Sequence, residues 1–296
     1  MLEQAYSYGQ FKAQVLEIGG RFRRISTAVQ GRSVLGKAIF SLSLGDGPEY
    51  VILAGGFHGQ EWIGTAVIMR FMLELCESLE AGDGMCGIDP SKLLRGRRIL
   101  AVPCVNPDGL EIARTGGAVS GYRLESIDRI ARGDFSRWNA NARGVDINHN
   151  FDAGWKKLRE EELKAGINGP SPGKYGGPAP ESEPETRVLT RLCNSLPVCR
   201  VYAFHSQGEE IYCEYGENTP PESYAMACAY GALTGYRVCL PSGTASHGGF
   251  KDWFIEKFGR PGFTFEVGKG TNPLPCDALD EVYEKLKAAM LISIAL

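Results

Sequence analysis

The chain has four histidines in 296 residues, few enough to weigh one by one. His58 stands in Ala54-Gly-Gly-Phe-His58-Gly-Gln-Glu61, where an apolar run ends at a glycine pair. Glu61 follows three residues later, where a helix would begin. An imidazole and a carboxylate at that spacing can turn toward one point across a strand-to-helix bend, and zinc accepts both donor types. A bare HxxE also occurs by chance, and a structural histidine–glutamate pair is its plain alternative. His205 ends a second apolar run, Val201-Tyr-Ala-Phe-His205. Three protein ligands with an open fourth position make a catalytic zinc site rather than a structural one. Glu266 closes a third run, Gly262-Phe-Thr-Phe-Glu266. A carboxylate with apolar flanks is costly without a task or a partner, and a salt bridge is the competing reading.

These residues need elements to hold them. Residues 49–54, 98–104, 200–204 and 262–266 read as strands, and 62–79, 223–233 and 277–294 as helices. Ser182-Glu-Pro-Glu185 before an apolar-periodic stretch predicts a capping box, Ser182 at the cap and Glu185 reaching back. Strands alternating with helices predict an α/β sheet flanked by helices. In open sheets of that kind functional groups gather at the carboxyl ends of strands. Residues 115–141 and 166–180 read as irregular loops. No linker or repeat appears, so one domain over residues 1–296 is expected.

Composition narrows the classes. A formal net charge of -3 gives no electrostatic case for nucleic acid or an anionic membrane as partner. No apolar run approaches the roughly 20 residues of a membrane helix, and the first residues lack the pattern of a signal peptide. A cytoplasmic location is therefore expected. Nine cysteines without a CxxC pair suggest neither a disulfide framework nor a cysteine zinc site, so most should be small buried hydrophobes.

Together the segments resemble the zinc carboxypeptidases. The motifs come in that family's order: HxxE, Asn106-Pro-Asp-Gly109, Gly144-Val-Asp-Ile-Asn-His-Asn150, Ser182-Glu-Pro-Glu185, His205 and Phe263-Thr-Phe-Glu266. The resemblance implies one α/β domain with a mixed sheet of about eight strands. It implies one zinc ion (Zn2+) per chain on His58, Glu61 and His205, Glu266 as general base, and a peptide substrate.

The departures from the family pattern bear on substrate. The arginine that follows Asn148 in the family, and clamps the terminal carboxylate with it, is His149 here. The carbonyl-polarising arginine falls at Asn139, after Trp138, with Arg137 or Arg143 as neighbouring substitutes. The family's lid tyrosine falls at Cys239. Arginine's bidentate fork is not replaced by histidine. The strings 145–155, 205–212 and 249–253 look like the γ-D-glutamyl-meso-diaminopimelate peptidases, which cut bacterial wall peptides. That resemblance implies hydrolysis of the γ-D-glutamyl–diaminopimelate bond in soluble peptidoglycan fragments (muropeptides).

Other polar residues are weaker candidates. Asn148 and His149 should face the cleft. His247 is either a substrate contact or a surface histidine. Gln207, Glu209 and Glu210 either shape the pocket or lie in solvent. Trp138, Trp155 and Trp253 should be core. The competing functions are an ordinary carboxypeptidase releasing a C-terminal amino acid, a zinc deacylase of N-acyl amino acids, and an inactive wall-peptide-binding homologue.

Overall fold

The computed structural model describes residues 6–116, 124–240 and 247–296. Its strands are β1 (Ile25–Arg32), β2 (Ala38–Gly45), β3 (Glu49–Gly55), β4 (Arg97–Val102), β5 (Val198–His205), β6 (Glu210–Tyr212), β7 (Arg237–Val238) and β8 (Gly262–Glu266). The helices are α1 (Tyr8–Arg21), α2 (Trp62–Ala81), α3 (Pro90–Leu93), α4 (Pro107–Thr115), α5 (Leu124–Ala131), α6 (Trp155–Lys164), α7 (Pro184–Ser195), α8 (Glu222–Thr234), α9 (Phe250–Phe258) and α10 (Ala278–Ile292). One mixed eight-stranded sheet runs β1-β2-β4-β3-β5-β8-β6-β7. Its centre, β4-β3-β5-β8, is parallel, and antiparallel β2 and β6 flank that centre.

The central strands are apolar in consecutive residues because both their faces are covered. Along β3, Val51 and Leu53 join a core with α1, α2, α8 and α10 side chains, including Phe11, Phe71, Tyr230 and Tyr283. Ile52 and Ala54 join the core under α7 and α9, with Leu189, Trp253 and Phe254. The same alternation sends Phe263 and Phe265 of β8 to the first face. Each large side chain buried this way contributes roughly 1.5–3 kcal/mol.

The topology locates the site. From β3 the chain turns through α2 to β4 on one side, then returns much later to β5 on the other. A crevice opens at the carboxyl ends of β3 and β5, where this reversal occurs. His58 follows β3, and His205 is the last residue of β5, in register with Glu266 on β8.

The structure corrects several expectations. The cap of α7 is Glu183 rather than Ser182, and no side chain caps that helix. Glu185 is drawn instead into a buried network, accepting from the Val34 amide at 2.9 Å and from Asn141 at 3.2 Å. The stretch 115–141 contains α5, and its residues 117–123 lie outside the described residues. Strands β1, β2, β6 and β7 and helices α1, α4, α6 and α9 were not among the expected elements. Trp138 and Trp253 are core, but Trp155 is half-buried and donates to the Gly176 carbonyl. Only Cys76, Cys104, Cys193 and Cys213 are buried, whereas Cys86, Cys228 and Cys276 are exposed. Among the described residues no helix is long and apolar enough to cross a membrane.

Candidate metal centre

The loop from β3 into α2 is shaped by glycines that approach neighbouring backbone closely. Gly56 has φ +62°, and a Cβ there would lie 2.6 Å from Thr65 Oγ1. A Cβ on Gly59 would meet the Gly109 carbonyl oxygen at 2.4 Å. Asn106 braces the loop, its Nδ2 donating to the Phe57 carbonyl at 2.9 Å while its Oδ1 accepts from the Gly109 amide at 2.8 Å, capping α4. The Asn-Pro-Asp-Gly segment is thus a clamp on the residue before His58. Phe57 in turn stacks on the His205 ring, centroids 4.8 Å apart.

His58, Glu61 and His205 converge. Glu61 places one oxygen 2.7 Å from His58 Nδ1 and the other 3.0 Å from His205 Nδ1. The two Nδ1 atoms face each other at 3.3 Å. Tetrahedral zinc with Zn–N bonds of about 2.0–2.1 Å holds two nitrogens about 3.3 Å apart, so the donor set fits the ion. His58 Nε2 lies 3.1 Å from the Asp146 carboxylate. That contact gives Nε2 the proton and turns Nδ1 toward the ligand point, the carboxylate–histidine arrangement of zinc sites. Asp146 is itself fixed by the Lys174 amide at 2.8 Å.

The electrostatics suit a cation. Burial opposes a charge on His58, yet the Glu61 and Asp146 carboxylates outweigh it and raise its proton affinity well above the usual value. Burial likewise works against the Glu61 carboxylate, but His58 and His205 hold it down to about 2. Glu266 is pushed up to about 8 by burial first and by the Glu61 charge second.

These residues open into a cavity of about 300 Å³. Asn139, Asn148, His149 and His247 line it with the metal set and Glu266, as do Tyr212, Lys174, Lys251, Asp252 and Thr264. Gln207 and Arg143 do not line it: Gln207 is exposed, and Arg143 lies 3.4 Å from Glu183. Glu209 pairs with Lys269 and Lys285, and Glu210 with Arg237. His149 is oriented by the buried Glu162, 3.0 Å from Nδ1, and burial lowers its proton affinity. Asn148 Oδ1 accepts from the Phe250 amide at 3.0 Å, tying this segment to the start of α9. Cys239 is half-buried just after β7, and the loop residues 241–246 lie outside the described residues. Sequence reasoning did not single out Asp146, Lys174, Tyr212, Lys251, Asp252 or Thr264. Asp146 lies inside the GVDIN string and Lys251-Asp252 inside GFKDW, but nothing in the spacing ties them to the metal residues.

A family profile described as zinc carboxypeptidase matches residues 20–289. The chain belongs to that family. It is a zinc metallopeptidase, and among the described residues there is one metal site, built from two histidines and a glutamate. Protein YqgT of Bacillus subtilis is 35% identical over 285 residues, covering 95% of this chain and 75% of the relative. The gamma-D-glutamyl-L-diamino acid endopeptidase 1 of Lysinibacillus sphaericus is 32% identical over 297 residues, 99% of this chain and 73% of its own. Among solved structures, thrombin-activatable fibrinolysis inhibitor superposes with a TM-score of 0.75 at 19% identity, covering 99% of this chain and 74% of its own. Most other named relatives and structural neighbours are carboxypeptidases.

Proposed function

We propose that this chain is a carboxypeptidase-type hydrolase that releases the terminal residue of a peptide, with Glu266 as general base. The observation that carries the proposal is the ladder pairing of His205 with Glu266. It sets a half-buried carboxylate with a raised proton affinity on the rim of the cavity that also holds the three metal ligands. Zinc, when bound, supplies the Lewis acid that acidifies a water and polarises the scissile carbonyl. Glu266 takes the proton from that water as its oxygen adds to the carbonyl carbon, and returns the proton to the amine nitrogen as the C–N bond breaks. The Asn139 side chain, whose Oδ1 accepts from the Gln60 amide at 3.3 Å, faces the same cavity and offers a polar group to the carbonyl oxygen. Asn148, His149 and Lys174 offer polar groups to the terminal carboxylate.

The ordinary carboxypeptidase reading has most of the named relatives behind it. A narrower reading, release of diaminopimelate from γ-D-glutamyl wall peptides, has one long match behind it, the endopeptidase from L. sphaericus. It also has the cations that line the cavity, Lys174 and Lys251, with no arginine among the described residues there. Release of a terminal diamino acid is the special case of the same reaction. Mass spectrometry of digests decides between them. Glu266→Gln should keep its zinc and lose about 10²–10⁴-fold in turnover. A variant working at near-normal rate would assign water activation to another group.

A further inference from the structure

Helix α8 carries no charged side chain after its first residue, Glu222, and the next charge along the chain is Arg237 on β7. A helix so composed is ordinarily covered on all sides, because the outer stripe of a surface helix is polar. Only the inner side of α8 is covered: Met226, Ala227 and Tyr230 enter the core that α10 also joins. The outer side is open. Tyr224, Ala225, Cys228, Ala229, Ala232 and Leu233 are all exposed, Tyr224 by 58% and Leu233 by 45%. The outer faces of α6 and α10 present charges instead, such as Lys156 and Glu284. A contiguous apolar patch on an otherwise polar surface marks a place of contact.

The patch is shaped to fit itself. Its residues form two rows at four-residue spacing, Tyr224-Cys228-Ala232 and Ala225-Ala229-Leu233. Such rows are the ridges that interdigitate when helices pack. The large side chains stand at the ends, and the small ones between them let a second helix approach closely. Turned end for end about a two-fold axis between Cys228 and Ala229, a second copy sets its Leu233 against Tyr224, its Ala232 against Ala225 and its Ala229 against Cys228. The same rotation brings its Gly235, and with it Arg237, beside Glu222. Arg237 is open to such a contact, its side chain being 74% exposed. Charge therefore favours the antiparallel pairing, whereas a parallel one would set Glu222 on Glu222.

We propose that the outer face of α8 is the contact surface of a two-fold dimer of this chain. The contact is isologous, each copy offering the same residues that it meets. Thirteen helical residues span about 20 Å. One helix pair of that length is smaller than a standard interface, so the dimer is reversible, with a Kd on the order of 10 µM. None of the six outer residues lines the catalytic cavity, so the contact uses no catalytic group.

Sedimentation velocity over about 1–200 µM protein tests the proposal, and a shift from monomer to dimer within that range is expected. Ala229→Glu sets a carboxylate beside the axis in each copy and should raise Kd by at least about tenfold. Position 229 is exposed, so the variant should keep the wild-type Tm and zinc content, which separates lost contact from lost fold. Glu222→Gln should raise Kd by about twofold at low salt and have no effect at about 1 M salt. A short bis-maleimide should join two wild-type chains through Cys228 and fail with Cys228→Ser, although Cys86 and Cys276 are exposed as well. Protein that stays monomeric at about 200 µM overturns the proposal, even if α8 then captures another protein or a lipid vesicle. So does a dimer that survives Ala229→Glu, one that Glu222→Gln tightens, or a cross-link that forms equally in Cys228→Ser.

Discussion

The metal ligands depend on Asp146, which the sequence hid behind a more visible neighbour. His58 has two ring nitrogens, and the 3.1 Å contact of Nε2 with Asp146 decides which one faces the ion. Removing such an outer carboxylate typically costs about 10–100-fold in metal affinity or activity. Asp146→Asn should therefore weaken zinc by that factor in a chelator competition while the fold persists; unchanged affinity would assign the orientation of His58 to another contact. His58, Glu61 and His205 were legible because histidines are few here and both ligating ones follow apolar runs. Asp146 was not singled out because it reaches the site from a loop 88 positions further along the chain. Lys251 and Asp252 were hidden for the same reason: only the packing of α9 on β8 brings them to the cavity.

Among the elements, β3, β5 and β8 could be read from sequence because both their faces are covered, which demands continuous apolar runs. The edge hairpin β1–β2 escaped notice because β1 is mostly open to solvent and carries Ser, Thr, Gln and Arg. Strands β6 and β7, of three and two residues, are too short to show a period. The failed capping box shows how tertiary contacts override a local signal: Glu185 serves the Val34 amide, far away in sequence. Asn106 works on both levels, capping α4 and holding the Phe57 carbonyl. Asn106→Ala should cost about 1–3 kcal/mol in denaturant unfolding, from the lost cap and the unpaired carbonyl. A change below a few tenths of a kcal/mol would show that the loop before His58 holds itself.

Across the whole molecule, stability should carry a pH signature away from the metal. Burial, the dominant cause, pushes Glu185 up from its usual 4.5 to about 7. A carboxyl whose folded value is raised favours the folded state fully below the unfolded value, and that contribution is lost as pH rises through the folded one. Wild-type stability should thus fall between about pH 4.5 and 7.5 relative to Glu185→Gln, by up to about 3 kcal/mol. Equal pH profiles of Tm for the two proteins would refute that reading. The fold's larger consequence is that a sheet reversing between β3 and β5 brings two histidines from distant runs to one point, with Glu266 beside them. The most direct test is to strip the protein with a chelator, titrate zinc back, and follow metal content and terminal-residue release from a short peptide together. The structure predicts that both rise in parallel and saturate at about one zinc per chain, and that His205→Ala abolishes both. Full peptide release from metal-free protein, or saturation of release with zinc bound away from His58 and His205, would contradict it.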